Sequence, residues 1–288
     1  MSNVQKLKAL IAQPEIIIAG GVYDGLSAML VQEAGLSCAY MTGFGTAASI
    51  LGAPDYGLLT MTEMVNHTKN LSNCLSIPMI ADADTGYGNP LNVRRTVMEY
   101  EGAGAAAIQL EDQAFPKRCG HMEGKVVIPM LEHCKKIEMA AKTRKEALII
   151  ARTDARAPLG LDEAIKRAKA YVEAGADIIF VDAPQSTDEL KTIAQNIKAP
   201  LMVNMTEGGK TPILTGEQLQ EIGFKIAIYP CITVFAAAKA MKEVLADLKR
   251  EGTSVNILDK LDNFHDFNKS VGLPFYHSLE SKYVHSDA

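Results

Sequence analysis

The sequence predicts a (β/α)8 barrel with additional helices at its C-terminal end, and three observations predict it. Eight short apolar runs recur along the 288 residues, each continuous rather than alternating, as strands buried on both faces of a parallel sheet are. Amphipathic stretches separate these runs, and eightfold alternation of strand and helix is the pattern of a closed barrel. The length suits one barrel of ~250 residues plus an appendage, and no long Pro/Gly/Ser tract divides the chain. A single domain over 1–288 is expected, with a helical extension over about 234–288.

The expected strands are Ile16–Ala19, Cys38–Met41, Pro78–Ala81, Ala106–Leu110, Leu148–Ala151, Ile178–Val181, Leu201–Asn204 and Ile226–Tyr229. Between the fifth and sixth runs, Leu161 to Val172 carries apolar residues at three- and four-residue spacing, a helix with one buried face. It ends at Glu173-Ala174-Gly175, where glycine suits the turn after a helix. The same ending recurs at Glu33-Ala34-Gly35 and at Glu101 to Gly104. After the eighth run, Val234 to Glu251 is rich in Ala and Lys and reads as a long helix. A further stretch from Leu258 to Lys269 exceeds what a closed barrel needs.

Composition excludes several classes. Hydrophobic residues make up 48% of the chain, ample for a core, and the net charge of −5 argues against a nucleic-acid partner. The polar, Lys-containing Met1–Gln13 stretch lacks the apolar segment of a signal peptide, and no apolar run reaches the ~20 residues of a membrane helix. Five cysteines, odd in number and without CxxC spacing, argue against a zinc knuckle or a disulfide framework. Reduced thiols in a cytoplasmic enzyme are the expectation. Cys38, Cys74, Cys134 and Cys231 stand in apolar or helical contexts, where cysteine packs as a small buried hydrophobe.

In a barrel of this type, chemistry gathers where the strands end. The third strand runs out through Asp82-Ala83-Asp84-Thr85-Gly86-Tyr87-Gly88 and the fourth through Glu111-Asp112; the fifth ends in Arg152-Thr153-Asp154 and the sixth at Asp182. The seventh gives Asn204, ahead of the glycine-rich run Glu207 to Pro212, and the second leads into Thr42-Gly43-Phe44. A two-residue strand period puts Asp82 and Asp84 on one face. With Glu111 they form an oxygen-rich set suited to Mg2+ or Mn2+. Asp112 is the member expected to serve only in capping or ion pairing. Arg152 offers a fork for a substrate carboxylate; the competing role is an ion pair with Asp154 or Asp182. His67, His133, His265, His277 and His285 fall in helices or tails and read as surface or packing residues.

The richest segment is Phe115-Pro116-Lys117-Arg118-Cys119-Gly120-His121. Positive charge beside a thiol favours thiolate, and Gly120 lets the chain bend close to a ligand. Cys119, flanked by Lys117, Arg118 and His121, reads as a catalytic thiol brought to an acidic substrate; the competing reading is a solvated basic loop with an incidental cysteine.

Together, Asp82 to Gly88, Glu111-Asp112-Gln113, Lys117 to His121 and Ala151 to Asp154 resemble the isocitrate lyase/phosphoenolpyruvate mutase superfamily, and the Lys117 to His121 run resembles its lyase branch. That resemblance implies a Mg2+-dependent enzyme acting on a hydroxy or keto acid, with Mn2+ as a substitute. It implies a homotetramer in which paired subunits exchange the helix after the eighth strand. Cys119 would protonate the carbanion left by carbon–carbon cleavage, and Asp55 would hold a metal-bound water. Tyr40 would be the base or an orienting hydrogen-bond partner. Thr42, Gly43, Phe44, Gly120, Asp182 and Asn204 would line the substrate pocket. Within the branch, Met122 stands where a common type of methylisocitrate lyase carries Arg, and Thr206 to Pro212 looks more like the alkylmalate group. The expected reaction is cleavage of a 2-hydroxy-2-alkyl dicarboxylate, foremost 2,3-dimethylmalate to pyruvate and propionate. Then come 2-methylisocitrate cleavage and oxaloacetate decarboxylation. Met122, Phe44 and Ile232 would give the alkyl groups room.

Overall fold

A computed structural model of the chain describes residues 1–118 and 124–284. Eight strands close into a barrel in chain order. They are β1 (Ile17–Val22), β2 (Cys38–Met41), β3 (Met79–Asp82), β4 (Ala107–Glu111), β5 (Leu148–Thr153), β6 (Ile178–Val181), β7 (Leu201–Asn204) and β8 (Ile226–Tyr229). Every pairing is parallel, and β1 meets β8 to complete the ring. The expected strands therefore stand, several of them shifted by a residue or extended at the C-terminal end.

Helices fill the connections: α1 (Asn3–Ala12) ahead of β1, α2 (Gly25–Glu33), α3 (Gly43–Leu51) and α4 (Met61–Cys74), α5 (Pro90–Gly102), α6 (Met130–Thr143), α7 (Arg156–Leu159) and α8 (Leu161–Glu173), α9 (Thr187–Asn196) and α10 (Gly216–Ile222). Several starts are fixed locally, as where Thr60 and Glu63 cap α4 reciprocally. The helix-ending glycines Gly35, Gly104 and Gly175 all take positive φ, the conformation expected of them.

Two apolar clusters follow from the period of the strands. Ile17, Cys38, Tyr40, Ile80, Ala107, Leu148, Ile150, Ile178, Phe180, Met202 and Ile228 form one with Leu7 of α1, the filling of the barrel. The alternate positions, including Met41, Ala81, Ile108, Ile149 and Val181, pack with the helices. Continuing the inner series two residues onward gives Asp82 after Ile80, Gln109 and Glu111 after Ala107, Arg152 after Ile150, Asp182 after Phe180 and Asn204 after Met202. Thus the faces that fill the barrel with hydrocarbon deliver charge to its mouth.

By contacts the chain falls into two compact units, Met1–Thr233 and Val234–Ala288. The second holds most of α11 (Ile232–Glu251), a 3-10 turn over Val255–Lys260, α12 (Phe264–Ser270) and α13 (Leu273–Tyr283). Asp247 ties this unit together by accepting from Arg250 and Lys260, while Leu258, Phe264, Phe275 and Tyr276 are exposed. One expectation is corrected: Cys74 is exposed on the last turn of α4, because the apolar stripe of that helix runs through Met64, Thr68 and Leu71 instead. Among the described residues, no helix is long and apolar enough to cross a membrane.

Candidate active site

Register places the charged residues. Asp82 pairs with Gln109 across β3 and β4, Glu111 with Arg152 across β4 and β5, and Arg152 with Phe180 across β5 and β6. All four polar groups are buried. The Arg152 guanidinium lies 5.1 Å from the Phe180 ring centre, a contact that holds its plane.

Asp82 and Asp84 do come together, by a different route from a strand period. The strand stops at Asp82, and Asp84 takes φ 49°, an uncommon conformation that aspartate tolerates better than most residues. The turn lets the Asp84 N–H donate to Asp82 Oδ1 at 3.0 Å. Gly43 opens α3 just above, and its N–H reaches Asp82 Oδ2 at 3.3 Å. A Cβ at Gly43 would stand 2.8 Å from that oxygen, so only glycine allows the approach. The Thr42 N–H turns back to Val22. The backbone N–H groups of Thr42 and Gly43 are thus engaged within the protein.

Lys117 reaches into this cluster. Its ammonium stands 2.6 Å from Asp55 Oδ1 and 2.6 Å from Asp84 Oδ1. Burial opposes the charge of Lys117, yet Asp84 and Asp55 hold its pKa well above the ordinary lysine value. Burial pushes the Asp84 carboxyl up to about 6 despite Lys117, and it pushes Glu111 up against the pull of Arg152. Glu111 Oε1 is buried with no hydrogen-bond partner. Four carboxylates, with one ammonium seated between two of them and Arg152 beside a third, are short of positive charge.

That donor set fits a hard divalent cation: it is all oxygen, as Mg2+ and Mn2+ prefer. Yet among the described residues no three carboxylates, imidazoles or thiols converge closely enough to enclose an ion by themselves. The fit is to an ion held through one or two carboxylates and several waters, the usual habit of Mg2+.

Arg152 is engaged as the competing reading anticipated. Its Nε and Nη2 donate to the two oxygens of Asp154 at 2.9 and 3.0 Å; Nη2 is 3.3 Å from Asp182 and Nε 3.4 Å from Glu111. Burial works against the charge on Asp154, but Arg152 and Lys125 hold its pKa far below the usual carboxylate range. Asp112 serves structure, as expected. It accepts from the Asp154 N–H, the Thr153 and Tyr171 hydroxyls and the Arg167 guanidinium.

Tyr40 donates to Gln109 Oε1 at 3.1 Å. Burial, reinforced by Asp82, holds its phenol well above the ordinary tyrosine value. Held neutral in this way, the phenol serves as the donor to that amide oxygen. Asn204 accepts from the Thr206 hydroxyl. Ile232 is 47% exposed. His133 is buried against Tyr171, as a packing residue should be, with ring centres 4.7 Å apart. Cys119, Gly120, His121 and Met122 lie outside the described residues.

Three participants were given no role from the sequence. Gln109 bridges Tyr40 and Asp82. Gln113 clamps the Arg118 backbone through both its amide oxygen and nitrogen, and Lys125 is buried between Asp154 and Asp182. A signal existed for each: amides at the end of a buried strand, and a lysine opening the apolar run Val126-Val127-Ile128. Beside the cluster, a cavity of ≈ 660 Å³ is bordered by Asp84 and Lys117 and walled by Leu59, Met61, Tyr87, Phe115 and Ile128. Phe44 and Ile232, expected to give apolar room, are not among its walls.

A closed parallel barrel whose strand ends converge on buried carboxylates and an arginine defines a class, that of (β/α)8 enzymes with an acidic, cation-seeking mouth. Comparison with known proteins narrows it. The phosphoenolpyruvate phosphomutase family model matches residues 7–249, and the chain belongs to that family, as its motifs suggested. It is 44% identical to the 2,3-dimethylmalate lyase of Eubacterium barkeri over 286 residues, 99% of both chains. It is 45% identical to the 2-methylisocitrate lyase of Aeropyrum pernix, covering 96% of this chain and 88% of that one. Among solved structures, a phosphonopyruvate hydrolase complex with oxalate and Mg2+ superposes with a TM-score of 0.90. There the identity is 31%, over 99% of this chain and all of the other.

Proposed function

We propose that the protein is a Mg2+-dependent carbon–carbon lyase that cleaves 2,3-dimethylmalate to pyruvate and propionate. The observation that carries the reading is near-full-length identity of 44% to a 2,3-dimethylmalate lyase, on a fold whose mouth combines a cation-seeking carboxylate set with a buried arginine. The bound cation would supply positive charge to the C2 oxygen and carboxylate of the substrate. Asp82, Asp84 and Glu111 would hold it, with Asp55 reaching it through water; Mn2+ would substitute.

The remaining roles belong to the chain. Arg152 presents positive charge to a substrate carboxylate, Tyr40 orients through its hydroxyl, and Thr42, Gly43, Phe44, Gly120, Asp182 and Asn204 line the pocket. As the C2–C3 bond breaks, the C2 hydroxyl gives its proton to water and becomes the pyruvate carbonyl. The bond pair moves to C3 as an enediolate, and the Cys119 thiol donates the proton that completes propionate. Lys117 and His121 keep that thiol in cationic surroundings. The reading includes a cytoplasmic homotetramer, to be checked by light scattering.

A second reading, cleavage of 2-methylisocitrate, is favoured by the 45% identity to a 2-methylisocitrate lyase. A tricarboxylate asks for one more cation than an alkylmalate, and Met122 supplies none. Pyruvate release from 2,3-dimethylmalate, 2-methylisocitrate and oxaloacetate, measured side by side, decides. Dimethylmalate should be fastest. A methylisocitrate rate far above it overturns the substrate, and no release from any of the three overturns the lyase.

A further inference from the structure

The segment that carries Cys119 is entered and left through lysines of matching design. On the entering side Lys117 is seated on Asp55 and Asp84. On the leaving side Lys125, its side chain 1% exposed, stands 2.8 Å from Asp154 Oδ1 and 3.3 Å from Asp182 Oδ2. Those two oxygens are the ones that Arg152 Nη2 also approaches, at 3.0 and 3.3 Å. Lys125 and Arg152 therefore divide one pair of carboxylates.

From this geometry we infer that Lys125 is a positioning residue: by offsetting one of the two charges on Asp154 and Asp182 it lowers the negative potential around Arg152 and so lets Arg152 meet a carboxylate ligand. The charge balance carries the argument. Arg152 faces Asp154, Asp182 and Glu111; alone it would stand in a strongly negative pocket that repels an anion. With Lys125 in place the three carboxylates face two cations rather than one, and the excess negative charge around Arg152 falls from two to one. Burial makes this balance count, because charges out of water are poorly screened.

The backbone supports a fixed seat for this lysine. Gln113 and Val127 form an antiparallel bridge, and the Ala114 and Ile128 N–H groups bond to Val126 and Asp112. Arg167 donates to the Ile128 carbonyl at 2.9 Å. Gly124, immediately before Lys125, takes φ 74°, a conformation open to glycine at little cost. These contacts turn the chain so that Lys125 enters the barrel mouth rather than solvent.

The inference rests on the assignment of Arg152 to a substrate carboxylate, and its test is binding rather than turnover. Oxalate is titrated, with Mg2+ present, into the full-length wild-type protein and the K125Q, K125R and K125Q/D182N variants. K125Q should weaken oxalate by about tenfold or more, the scale of losing one buried charge partner. K125R should stay within about threefold of wild type. K125Q/D182N, with one cation and one anion fewer, should recover most of the affinity. Unchanged oxalate affinity in K125Q overturns the inference, as does a K125R loss equal to that of K125Q. No recovery in the double variant overturns it too, since packing alone would explain the loss. Failure of both single variants to fold marks Lys125 as structural and does the same. Oxalate affinity is read whether or not dimethylmalate is cleaved, so the substrate assignment and this inference fail separately.

Discussion

On one side of the barrel mouth Asp55 and Asp84 hold the ammonium of Lys117, with the charges of Asp82 and Glu111 also bearing on it and Arg152 3.4 Å from Glu111. On the other, Asp112 and Asp154 are met by Arg152, Lys125, Arg167, two hydroxyls and a backbone N–H. Both groups are buried, so burial does not separate them; their partners do. The second is complete within the chain and reads as scaffold. The first keeps an unpartnered Glu111 oxygen and has one ammonium seated between two of its four carboxylates, and so asks for a cation from outside. Buried acidity alone does not mark a site; buried acidity that the protein leaves uncompensated does.

Substitutions that exchange these behaviours break or sharpen the contrast. The largest effect is expected from Arg152, which both sides touch. R152Q should lower kcat/KM for the pyruvate-forming reaction by about a thousandfold, ~4 kcal/mol. A loss under tenfold would mean that Arg152 serves only its ion pairs. Next, D112A removes the acceptor shared by Arg167, Tyr171 and Thr153. An uncompensated buried guanidinium should cost about 3 kcal/mol or more of stability, read by urea denaturation. Scaffold status is lost if D112A unfolds like wild type.

Smaller, and specific to the first cluster, is a pH effect. Asp84 has a raised carboxyl in the folded protein, so the folded state binds its proton more tightly than the unfolded one. Its stabilising contribution is present below the unfolded aspartate range, near 4, and is lost as pH rises to about 6. Without divalent cations, D84N should therefore gain thermal stability relative to wild type between pH 4 and 6, then level off; saturating Mg2+ should abolish the trend. His133, lowered to about 3 by burial, titrates in both proteins and cancels in the difference. A flat difference across that window counts against Asp84. At the small end, C74S touches neither cluster and should stay within about 0.5 kcal/mol of wild type.

Much of this was legible before any coordinates. Runs such as Leu148–Ala151 announce a strand buried on both faces, and the two-residue period then carries Ile150 to Arg152 and Ile80 to Asp82. What period cannot give is what happens after the strand stops. Asp84 joins Asp82 through a left-handed turn, and Lys117 and Lys125 arrive from a connection whose course depends on contacts with other strands. Gln109 was legible as a polar residue in an apolar strand, but its bridge from Tyr40 to Asp82 needs the register of two neighbours. Cys74 misled because helical periodicity tolerates a small residue on either face, and only packing decides which.

The claim at the centre is that the uncompensated cluster, and not the complete one, binds the cation. Calorimetric titration of Mg2+ into metal-stripped wild type, D84N and D112N tests it most directly. One saturable site in wild type and D112N, weakened by about tenfold or more in D84N, is the predicted result. Absence of a site in wild type, or equal loss in D84N and a folded D112N, would contradict it.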